Sequence, residues 1–405
     1  SAALDALLTR AVALDPRERA LVTELTYGVL RTWRALDTRL ACWAPKGLPE
    51  ETWTRLQLRL AAYQILLLDR IPGFSAVNAA VGAVRAKRGA GLAGFCNALL
   101  RKLSASGERL TQGQAVLETV PSWLRERLTL AVGEEEAAAL VGVGGTSAFA
   151  GLSLRCVAGR QLPPWLAALR SGPHYAATRH WEERGDPRAK EGWLEGDFLV
   201  QEEGAQLVGV ALGAQPEERV LDACCGRGQK TSLLAEQVGS GGQVWATDKY
   251  PAKLRELQAE FTRLRLPAPN VAAVDWTLGN GEVPAEFDRV LIDAPCTGTG
   301  TLRRRPEIAL RLSPEDPTRM AEMATEIARR AALRARVGGR VLFAVCSVLP
   351  EEGEGVVARL TDLLEPAPFE DPALRRLFGE ATHGRLLPVL HGTDGYFLAS
   401  FLRRP

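Results

Sequence analysis

The sequence has little that would indicate a metal site, a disulfide framework or a membrane segment. It contains seven cysteines: Cys42, Cys96, Cys156, Cys224, Cys225, Cys296 and Cys346. They form no Cys-x-x-Cys pair, show no metal-ligand spacing and are odd in number. No apolar run is long enough to cross a bilayer, and Asp5 and Arg10 interrupt the first apolar stretch. We therefore expect a cytoplasmic protein with free thiols and without a bound metal.

An excess of charge of one sign is also missing. The 50 basic and 48 acidic residues leave a formal net charge of +2, so no global basic field indicates nucleic acid. Any RNA or DNA site must therefore come from a local patch. Lysine is scarce, which makes the position of Lys230 worth weighing. With 405 residues, 46% of them apolar, the chain is long enough for two or three domains with cores of their own.

Helical periodicity dominates residues 1 to about 130. Apolar residues recur at steps of three and four in two series: Leu21, Leu25, Val29, Trp33, Leu36 and Leu40, and then Leu56, Leu60, Tyr63 and Leu67. The small residues of 142–147 predict a flexible linker after this half. We assign residues 1–140 to an all-α domain.

A short α+β segment is predicted next, over residues 145–205, with a strand at 152–157. A following stretch carries arginines and four ring-bearing residues: His174, Tyr175, His180 and Trp181. Two interpretations stay open for this stretch. It is either an ordinary surface loop or a basic, aromatic loop on which unpaired bases stack.

From residue 206 to 405 the pattern changes to alternating strands and helices. Buried-strand runs are predicted at 220–223, 243–247, 271–274, 289–292 and 340–345, and a long helix at about 315–336. A last strand at 396–401 is expected to be antiparallel and at the edge of the sheet. This alternation is typical of a doubly wound α/β fold, so we predict a Rossmann-like domain.

The ends of the first three strands indicate a nucleoside ligand. A turn with Gly226 and Gly228 follows the first strand, where glycines let the backbone approach a ligand at a helix N-terminus. Asp248 ends the second strand and could accept ribose hydroxyls, and Asp275 after the third could receive an adenine amine. Each acid alone is more simply a helix cap or turn former. Together they favour an adenosyl ligand with one ribose, which suggests S-adenosylmethionine.

Two cysteines follow the fourth and fifth strands. Cys296 lies in the run Asp293-Ala294-Pro295-Cys296-Thr297-Gly298-Thr299-Gly300, and Cys346 directly follows the apolar run that ends at Val345. Because carboxyl ends of neighbouring parallel strands meet over the ligand crevice, we expect the two thiols to lie close together. A lone cysteine is usually a small buried hydrophobe, but a pair at this place predicts covalent chemistry.

The motifs around these cysteines resemble those of the Sun/RsmB family of RNA cytosine-C5 methyltransferases. Residues 293–308 look like its fourth motif, 346–352 its sixth, and Asp394-Gly395-Tyr396-Phe397 its closing strand. In the helical half, residues 19–31, 68–72 and 97–101 resemble a NusB-like RNA-binding bundle. The resemblance covers nearly the whole chain and is closest to the bacterial 16S rRNA branch. It implies a NusB-like domain, a small α+β segment and a class I methyltransferase domain.

The resemblance also implies an activity and residue roles. The expected reaction moves a methyl group from S-adenosylmethionine to C5 of a 16S rRNA cytosine, of the position-967 type, through a covalent cysteine–C6 adduct. Cys346 would be the nucleophile and Cys296 would assist its release, because C5 of cytosine needs a thiolate at C6 before it can attack a sulfonium methyl group. Asp293 would hydrogen-bond the N3/N4 edge of the base.

Further roles are implied for the cofactor and for the RNA. Lys230 would orient Asp293 or hold the cofactor turn. The cofactor contacts implied are Cys224, Cys225, Gly226, Arg227, Gly228, Gln229, Lys230, Asp248, Asp275 and Asp293. Three consecutive arginines, Arg303, Arg304 and Arg305, are expected to contact RNA phosphates rather than form a solvated face. We expect a monomer whose partner is 16S rRNA.

The chain departs from the family's usual first motif, Asp-x-Cys-Ala-Ala-Pro-Gly-Gly-Lys-Thr. Cys225 and Gly226 stand in place of the two alanines, Arg227 in place of the rigid proline, and Gln229 in place of a glycine. Gly228 and Lys230 are retained. We therefore expect the contacts of this turn to differ from those of the family.

Three other functions are considered. A non-catalytic RNA-binding assembly factor is motivated by the altered first motif, and failure to bind the cofactor would favour it. A DNA cytosine methyltransferase would attack with the Pro-Cys thiol, but the chain has no Glu-Asn-Val motif and would leave the second cysteine without a role. A nicotinamide oxidoreductase is disfavoured because the turn lacks the third glycine of a dinucleotide fingerprint.

Overall fold

The computed structural model describes residues 14–143, 151–183 and 185–405. These residues divide into two compact units. The first comprises 14–126, 137–143 and 302–311, and the second comprises the rest. The predicted division into 1–140, 145–205 and 206–405 stays a prediction, and residues 144–147 of the predicted linker lie outside the described residues.

The helical half contains the helices that the periodicity predicts. They are α1 (Pro16–Ala41), α2 (Thr52–Leu67), α3 (Gly73–Arg88), α4 (Ala90–Ala105), α5 (Gln112–Thr119), α6 (Ser122–Val132) and α7 (Glu134–Leu140). Asp15 caps α1 in a capping box with Glu18, which satisfies amide groups that the first turn leaves without partners. Leu36, Leu58 and Leu100, from three different helices, are fully buried in the core of the first unit. One more helix of this unit, Glu307–Arg311, lies far along the chain.

The second unit begins with a small three-stranded sheet in the order β2-β1-β3, all antiparallel. Its strands are β1 (Leu152–Cys156), β2 (Thr178–Trp181) and β3 (Phe198–Val200). Arg155, fully buried, donates from Nε to Gln201 at 2.8 Å and from Nη2 to the hydroxyl of Ser232 at 2.6 Å. Since Ser232 lies in the helix Gln229–Val238 of the same unit, this arginine fixes the small sheet to that helix.

The loop interpretation of the 174–181 stretch is wrong for His180 and Trp181, whereas His174 and Tyr175 lie in a loop and are partly exposed. His180 and Trp181 form part of β2 and are buried, at 3% and 2% exposure, so they present no stacking surface. The amides of His174 and Tyr175 both donate to Glu203 Oε1 at 3.0 Å. Trp181 packs into the core of the small sheet, with its ring edge-on to that of Trp165 at 5.6 Å between centroids.

The large sheet has eight strands. They are β4 (Arg219–Asp222), β5 (Gln243–Asp248), β6 (Asn270–Ala273), β7 (Phe287–Asp293), β8 (Ala335–Val345), β9 (Leu364–Pro366), β10 (His383–Leu386) and β11 (Tyr396–Arg403). The order is β10-β11-β8-β7-β4-β5-β6, with β9 paired to β11. Strands β4 to β8 are parallel, and β11 is antiparallel to β8, β9 and β10.

Both faces of this sheet are covered, which is why its strands read as continuous apolar runs. Leu291 and Leu342 pack into one core, and their neighbours Ile292 and Phe343 pack into the core on the opposite face. The longer helices of the second unit are α9 (Glu203–Ala211), α10 (Gln229–Val238), α11 (Pro251–Leu264), α13 (Asp316–Ala332) and α15 (Pro372–Phe378). Its short helices are α8 (Pro164–Ala167), α14 (Glu354–Val357) and α16 (Pro388–His391). The label α12 belongs to the helix Glu307–Arg311 of the first unit.

Two details of the sequence prediction are wrong. The last strand, β11, is antiparallel as predicted, but it lies inside the sheet because β10 pairs with its outer side and takes the edge. The helix predicted to reach residue 336 ends at Ala332, because β8 begins at Ala335 and Gly338, with φ of 73°, belongs to that strand. In the described part of the chain, no helix combines the length and the apolar character needed to span a membrane.

The order of the parallel strands reverses between β4 and β7. In open α/β sheets a ligand crevice forms outside the carboxyl ends of the strands at such a switch point. Asp222 ends β4 and Asp293 ends β7, so the two strands that flank the crevice both deliver a carboxylate to it.

Candidate active site

The turn after β4 depends on two glycines with left-handed backbone angles. Gly226 has φ of 56° and Gly228 has φ of 82°. Gly228 directly precedes α10, and a Cβ atom at this position would lie 2.5 Å from Cγ of Leu257. Gln229, which replaces a family glycine, is the first residue of α10 and has no left-handed angle. The replacement of a family glycine by Gln229 therefore does not affect the two left-handed positions of the turn, which Gly226 and Gly228 occupy.

A Gly228→Ala variant is expected to lose about 2 kcal/mol or more of its free energy of unfolding, because it adds a left-handed alanine and a clash with Leu257. Gly226→Ala is the matched control, since it has the same kind of backbone strain but nothing within 4 Å of the added atom. Urea unfolding of both variants checks this. Equal losses in the two variants would show that the contact with Leu257 has no energetic weight.

Asp248 joins the end of β5 to this turn. Its Oδ2 accepts from the amide of Gly226 at 3.2 Å and from Lys253 Nζ at 3.0 Å, and its Oδ1 accepts from the amide of Tyr250 at 2.9 Å. The side chain is buried, with 8% exposure. A carboxylate oxygen can accept two hydrogen bonds, so Oδ1 keeps the capacity to take a ribose hydroxyl.

Asp275 forms its own local turn. Its Oδ1 accepts from both the amide and the hydroxyl of Thr277, at 3.0 and 2.6 Å, and these bonds lower the pKa of the carboxyl group. β6 ends at Ala273, so Asp275 lies two residues beyond the strand. The turn-forming interpretation therefore holds for Oδ1, and contact with an adenine amine stays a prediction.

Asp222 was not among the predicted site residues, although it begins the first motif. It is 1% exposed, and burial raises its pKa to about 7. Its Oδ2 accepts from the hydroxyl of Thr231 at 2.7 Å, while its buried Oδ1 has no hydrogen-bond partner among residues 14–143, 151–183 and 185–405. A buried carboxylate oxygen without a donor is costly, and the ammonium of an amino-acid ligand would supply one.

Together these residues fit S-adenosylmethionine. Asp248 can accept a ribose hydroxyl, and the Asp222 oxygen without a donor can accept from a positively charged amino group. The glycine turn lets a ligand come close to the backbone. Cys224 is half-buried and Cys225 is buried, and burial raises the pKa of both thiols well above the usual value. Both therefore remain neutral thiols in the turn. The exposed side chain of Arg227 pairs with Glu256 at 2.5 Å.

Cys296 and Cys346 meet as the sequence predicts. Their sulfur atoms lie 3.4 Å apart, and both residues are partly exposed. The hydrogen bond to Cys346 and burial together raise the pKa of Cys296 well above that of a free thiol. Either sulfur can donate the hydrogen bond that joins them.

Lys230 and Asp293 form an ion pair beside the thiols. Lys230 Nζ lies 2.7 Å from Asp293 Oδ2, and the two side chains are only 15% and 25% exposed. Burial acts to lower the pKa of Lys230, but the carboxylate of Asp293, with a smaller effect from Cys346, outweighs it and raises the pKa. The ammonium group is thus fixed as a cation that orients Asp293 and favours negative charge on nearby sulfur.

Backbone contacts hold the loops of this site together. The amide of Gly300 donates to the carbonyl of Cys346 at 3.0 Å, and the amide of Gly395 donates to the carbonyl of Gly300 at 2.8 Å. A Cβ atom on Gly300 would lie 1.9 Å from the carbonyl oxygen of Gly395. Only glycine allows this approach, which explains why the Cys296 loop ends in Thr-Gly-Thr-Gly.

The three arginines lie in the segment that belongs to the first unit. The carbonyl of Arg303 accepts from Arg31 Nη2 at 2.8 Å within that unit. Arg303 and Arg304 are half-buried, whereas Arg305 is exposed and pairs with Glu307 at 3.4 Å. Contact with RNA phosphates stays a prediction for all three. In the described ranges, no group of three or more His, Cys, Asp or Glu residues could hold a metal ion.

The strand order, the antiparallel β11 and the acids at successive strand ends define the class of this protein. An adenosyl ligand without a pyrophosphate fits the turn, and a cation-held carboxylate stands beside two thiols where a substrate must enter. This is the arrangement of a Rossmann-like methyltransferase that uses S-adenosylmethionine.

Comparison with known proteins gives the family. Residues 209–402 match the family model for the 16S rRNA methyltransferase RsmB/F, and residues 1–105 match the NusB family. Ribosomal RNA small subunit methyltransferase B of Thermus thermophilus is 35% identical over 412 residues, which span 98% of this chain and 92% of that protein. A probable enzyme of the same name from Synechocystis is 29% identical, over 96% of this chain and 92% of that protein. The chain belongs to the RsmB/F family of S-adenosylmethionine-dependent rRNA methyltransferases.

Solved structures agree on the fold. The crystal structure of a protein designated PH0851 superposes with a TM-score of 0.81 and 21% identity, over 97% of this chain and 92% of that one. NSun6 from Pyrococcus horikoshii, solved with SFG, has a TM-score of 0.60 and 16% identity over 70% of this chain and 98% of that one. The predicted architecture, an N-terminal NusB-like bundle and a C-terminal Rossmann-like domain, is confirmed, as is S-adenosylmethionine as the cofactor.

Proposed function

We propose that this protein methylates C5 of one cytosine in 16S rRNA, of the position-967 type, through a covalent adduct between Cys346 and C6 of the base. The observation that carries the proposal is the 3.4 Å separation of the Cys296 and Cys346 sulfurs beside the Lys230–Asp293 ion pair. Two thiols are needed only where one adds to the ring and the other serves its departure. S-adenosylmethionine, when bound, supplies the electrophilic methyl group.

The surroundings of Cys346 support it as the nucleophile. Its sulfur lies 3.4 Å from that of Cys296, and its charge contributes to the raised pKa of Lys230, so a fixed cation near Cys346 favours its thiolate. When Cys346 Sγ bonds to C6, the electron pair of the C5–C6 double bond moves to C5, which then attacks the methyl group. C5 afterwards gives its hydrogen as a proton to solvent water, and the returning electron pair re-forms the double bond and expels Cys346 as a thiolate. Cys296 assists this release.

Asp293 and Lys230 recognise the base in this proposal. Asp293, which pairs with Lys230, accepts a hydrogen bond from the exocyclic N4 amine, which uracil lacks. Lys230 occupies Oδ2 at 2.7 Å and so fixes which carboxylate oxygen is available to the base. The pair thus selects cytosine and holds its ring against the thiol.

An Asp293→Asn variant is expected to lose about a hundredfold or more in kcat/KM for RNA, because the amide can no longer form the ion pair and presents donors to the amine. Its melting temperature should stay close to the wild-type value. Asp288→Asn is the matched control, since Asp288 lies at the opposite end of the same strand and pairs with Arg336 at 2.9 Å. If both variants retain activity, Asp293 does not take part in base recognition.

The RNA partner is proposed from the family and from charge. Relatives carry the name ribosomal RNA small subunit methyltransferase B, and this chain spans 92% of their length. The NusB-like unit, with Arg303, Arg304 and Arg305 in its late segment, is the proposed RNA-binding surface, and the cytoplasm is the proposed location. Its three arginines are proposed to contact phosphates rather than bases.

Position-resolved mapping of 5-methylcytosine tests the proposal. Unmodified 16S rRNA, free and in small-subunit particles, is incubated with the protein in the presence and absence of S-adenosylmethionine. One new 5-methylcytosine that depends on the cofactor is expected. If folded protein forms no 5-methylcytosine on either substrate, the result contradicts the proposal and favours the assembly-factor function. Methylation of duplex DNA instead would identify a DNA enzyme.

A further inference from the structure

Glu352 is a fully buried carboxylate in the loop that follows β8. Its Oε1 accepts from the amide of Thr297 at 2.6 Å. Its Oε2 accepts from the hydroxyls of Thr297 and Ser347, each at 2.5 Å. A buried acid is costly unless donors surround it, and here three donors converge on one side chain. Glu352 therefore serves a purpose that a small apolar residue could not.

The partners of Glu352 are the residues that directly follow the two cysteines. Thr297 follows Cys296 in the loop after β7, and Ser347 follows Cys346 in the loop after β8. One carboxylate thus joins the two loops at the positions next to the sulfur atoms. The pairing of β7 with β8 ends at Asp293 and Ala344, and beyond it the amide of Gly300 donates to the carbonyl of Cys346 at 3.0 Å. Glu352 adds a side-chain link between the two loops beside that backbone bond.

Further hydrogen bonds to Ser347 fix the direction of the bonds to Glu352. Ser347 donates its hydroxyl proton to Glu352, so Thr299 must donate to Ser347 Oγ, at 2.9 Å. The amide of Leu349 also donates to Ser347 Oγ, at 3.2 Å. Burial raises the pKa of Glu352, and its bonds to Ser347 and Thr297 oppose the rise. Each of these groups is satisfied only while both loops keep their places.

We propose that Glu352 is a positioning residue that holds the sulfur atoms of Cys296 and Cys346 at the separation needed for the reaction. This inference rests on the proposed thiol chemistry for its effect on catalysis. It makes a separate statement about geometry that requires no RNA. Glu352 makes its hydrogen bonds to Thr297 and Ser347, and its charge also contributes to the raised pKa of Cys296.

The first experiment compares Glu352→Gln with Glu351→Gln in steady-state methylation of 16S rRNA. Glutamine keeps the shape of Glu352 but places two donors where an acceptor faces hydroxyl donors, so the loops must shift. Glu351 is the control because it is adjacent, half-exposed and pairs with Arg127 at 3.3 Å. We expect kcat to fall about a hundredfold in Glu352→Gln, with KM for RNA within about twofold of the wild-type value. Glu351→Gln should behave as the wild type.

The second experiment measures how readily the two sulfurs form a disulfide bond, in the absence of RNA and cofactor. Diamide takes one hydrogen from each of two thiols and joins the sulfurs. The rate of Cys296–Cys346 disulfide formation, divided by the rate at which iodoacetamide alkylates the same thiols, reports how closely they are held. Peptide mass spectrometry identifies the bond. The wild type and Glu351→Gln should form it rapidly, and Glu352→Gln at least about tenfold more slowly. Equal rates in all three proteins would overturn the positioning role, whatever happens to kcat.

The two measurements separate the inference from the proposed function. If the wild type methylates no cytosine but Glu352→Gln still slows disulfide formation, the proposed function fails and the positioning role stands. Should Glu352→Gln fail to fold, Ser347→Ala replaces it, because it removes one of the three donors and leaves the carboxylate. This variant should show slower disulfide formation and a kcat about tenfold lower. Wild-type values for both would overturn the inference.

Discussion

A Cys346→Ala variant is expected to form no detectable 5-methylcytosine, a loss of at least about a thousandfold, and no covalent complex with RNA. The reason is that the Lys230 ammonium near this sulfur favours its thiolate, which is the form that adds to C6. Without Cys346 no thiolate remains at the end of β8 to add to C6. Methylation assays and denaturing gels with 16S rRNA measure the two losses.

Cys42→Ala is the control for this substitution, because Cys42 is exposed at the end of α1 in the other unit. It should retain full activity. Binding of S-adenosylmethionine to Cys346→Ala, measured by calorimetry, should match that of the wild type, since the predicted cofactor contacts lie in the turn after β4 and at Asp248. Residual methylation by Cys346→Ala above one per cent or so would place the nucleophile elsewhere.

A Cys296→Ala variant is expected to do the opposite and accumulate a covalent protein–RNA complex. The addition of Cys346 to C6 is unaffected by this change, but the thiol that assists release is gone. The product should run as a slower band on a denaturing gel and require S-adenosylmethionine, because an unmethylated adduct can still revert. Turnover should fall by on the order of a hundredfold or more.

The double variant Cys296→Ala with Cys346→Ala tests the assignment of roles. It should give no slower band, because the band depends on the sulfur of Cys346. A band in Cys346→Ala that is absent from Cys296→Ala would reverse the two roles and make Cys296 the nucleophile. Both results are read on the same gel.

The sequence predicted the central strands well because both faces of the sheet are buried. A strand such as β7, with Leu291 in one core and Ile292 in the other, must be apolar along its length. The placement of β10 outside β11 could not be predicted in this way. His383-Gly384-Arg385-Leu386 is a polar edge strand, and its pairing is decided by the register with β11. Local sequence does not contain that register.

For the site, the sequence predicted which residues meet when the meeting follows from strand order. Cys296, Cys346 and Asp293 all follow parallel strands, so their proximity could be expected. Glu352 and the orphaned oxygen of Asp222 were missed, because a buried acid cannot be told from a surface acid without its neighbours. The burial of His180 and Trp181 was missed for the same reason. Two adjacent acids, separated from the Cys346-Ser347 pair by three residues, were the one available signal for Glu352.

The late segment 302–311 has a consequence for how the chain is made. Leu302 and Ile308 in it are 2% exposed, and Leu302 lines a small cavity of the first unit with Leu30 and Val116. During synthesis the N-terminal helices leave the ribosome long before β4 to β7, yet their unit closes only after Arg311 has emerged. A fragment that stops at residue 143 would therefore expose to water the apolar surface that Leu302 and Ile308 cover. Gene fragments that end there should yield a product that aggregates.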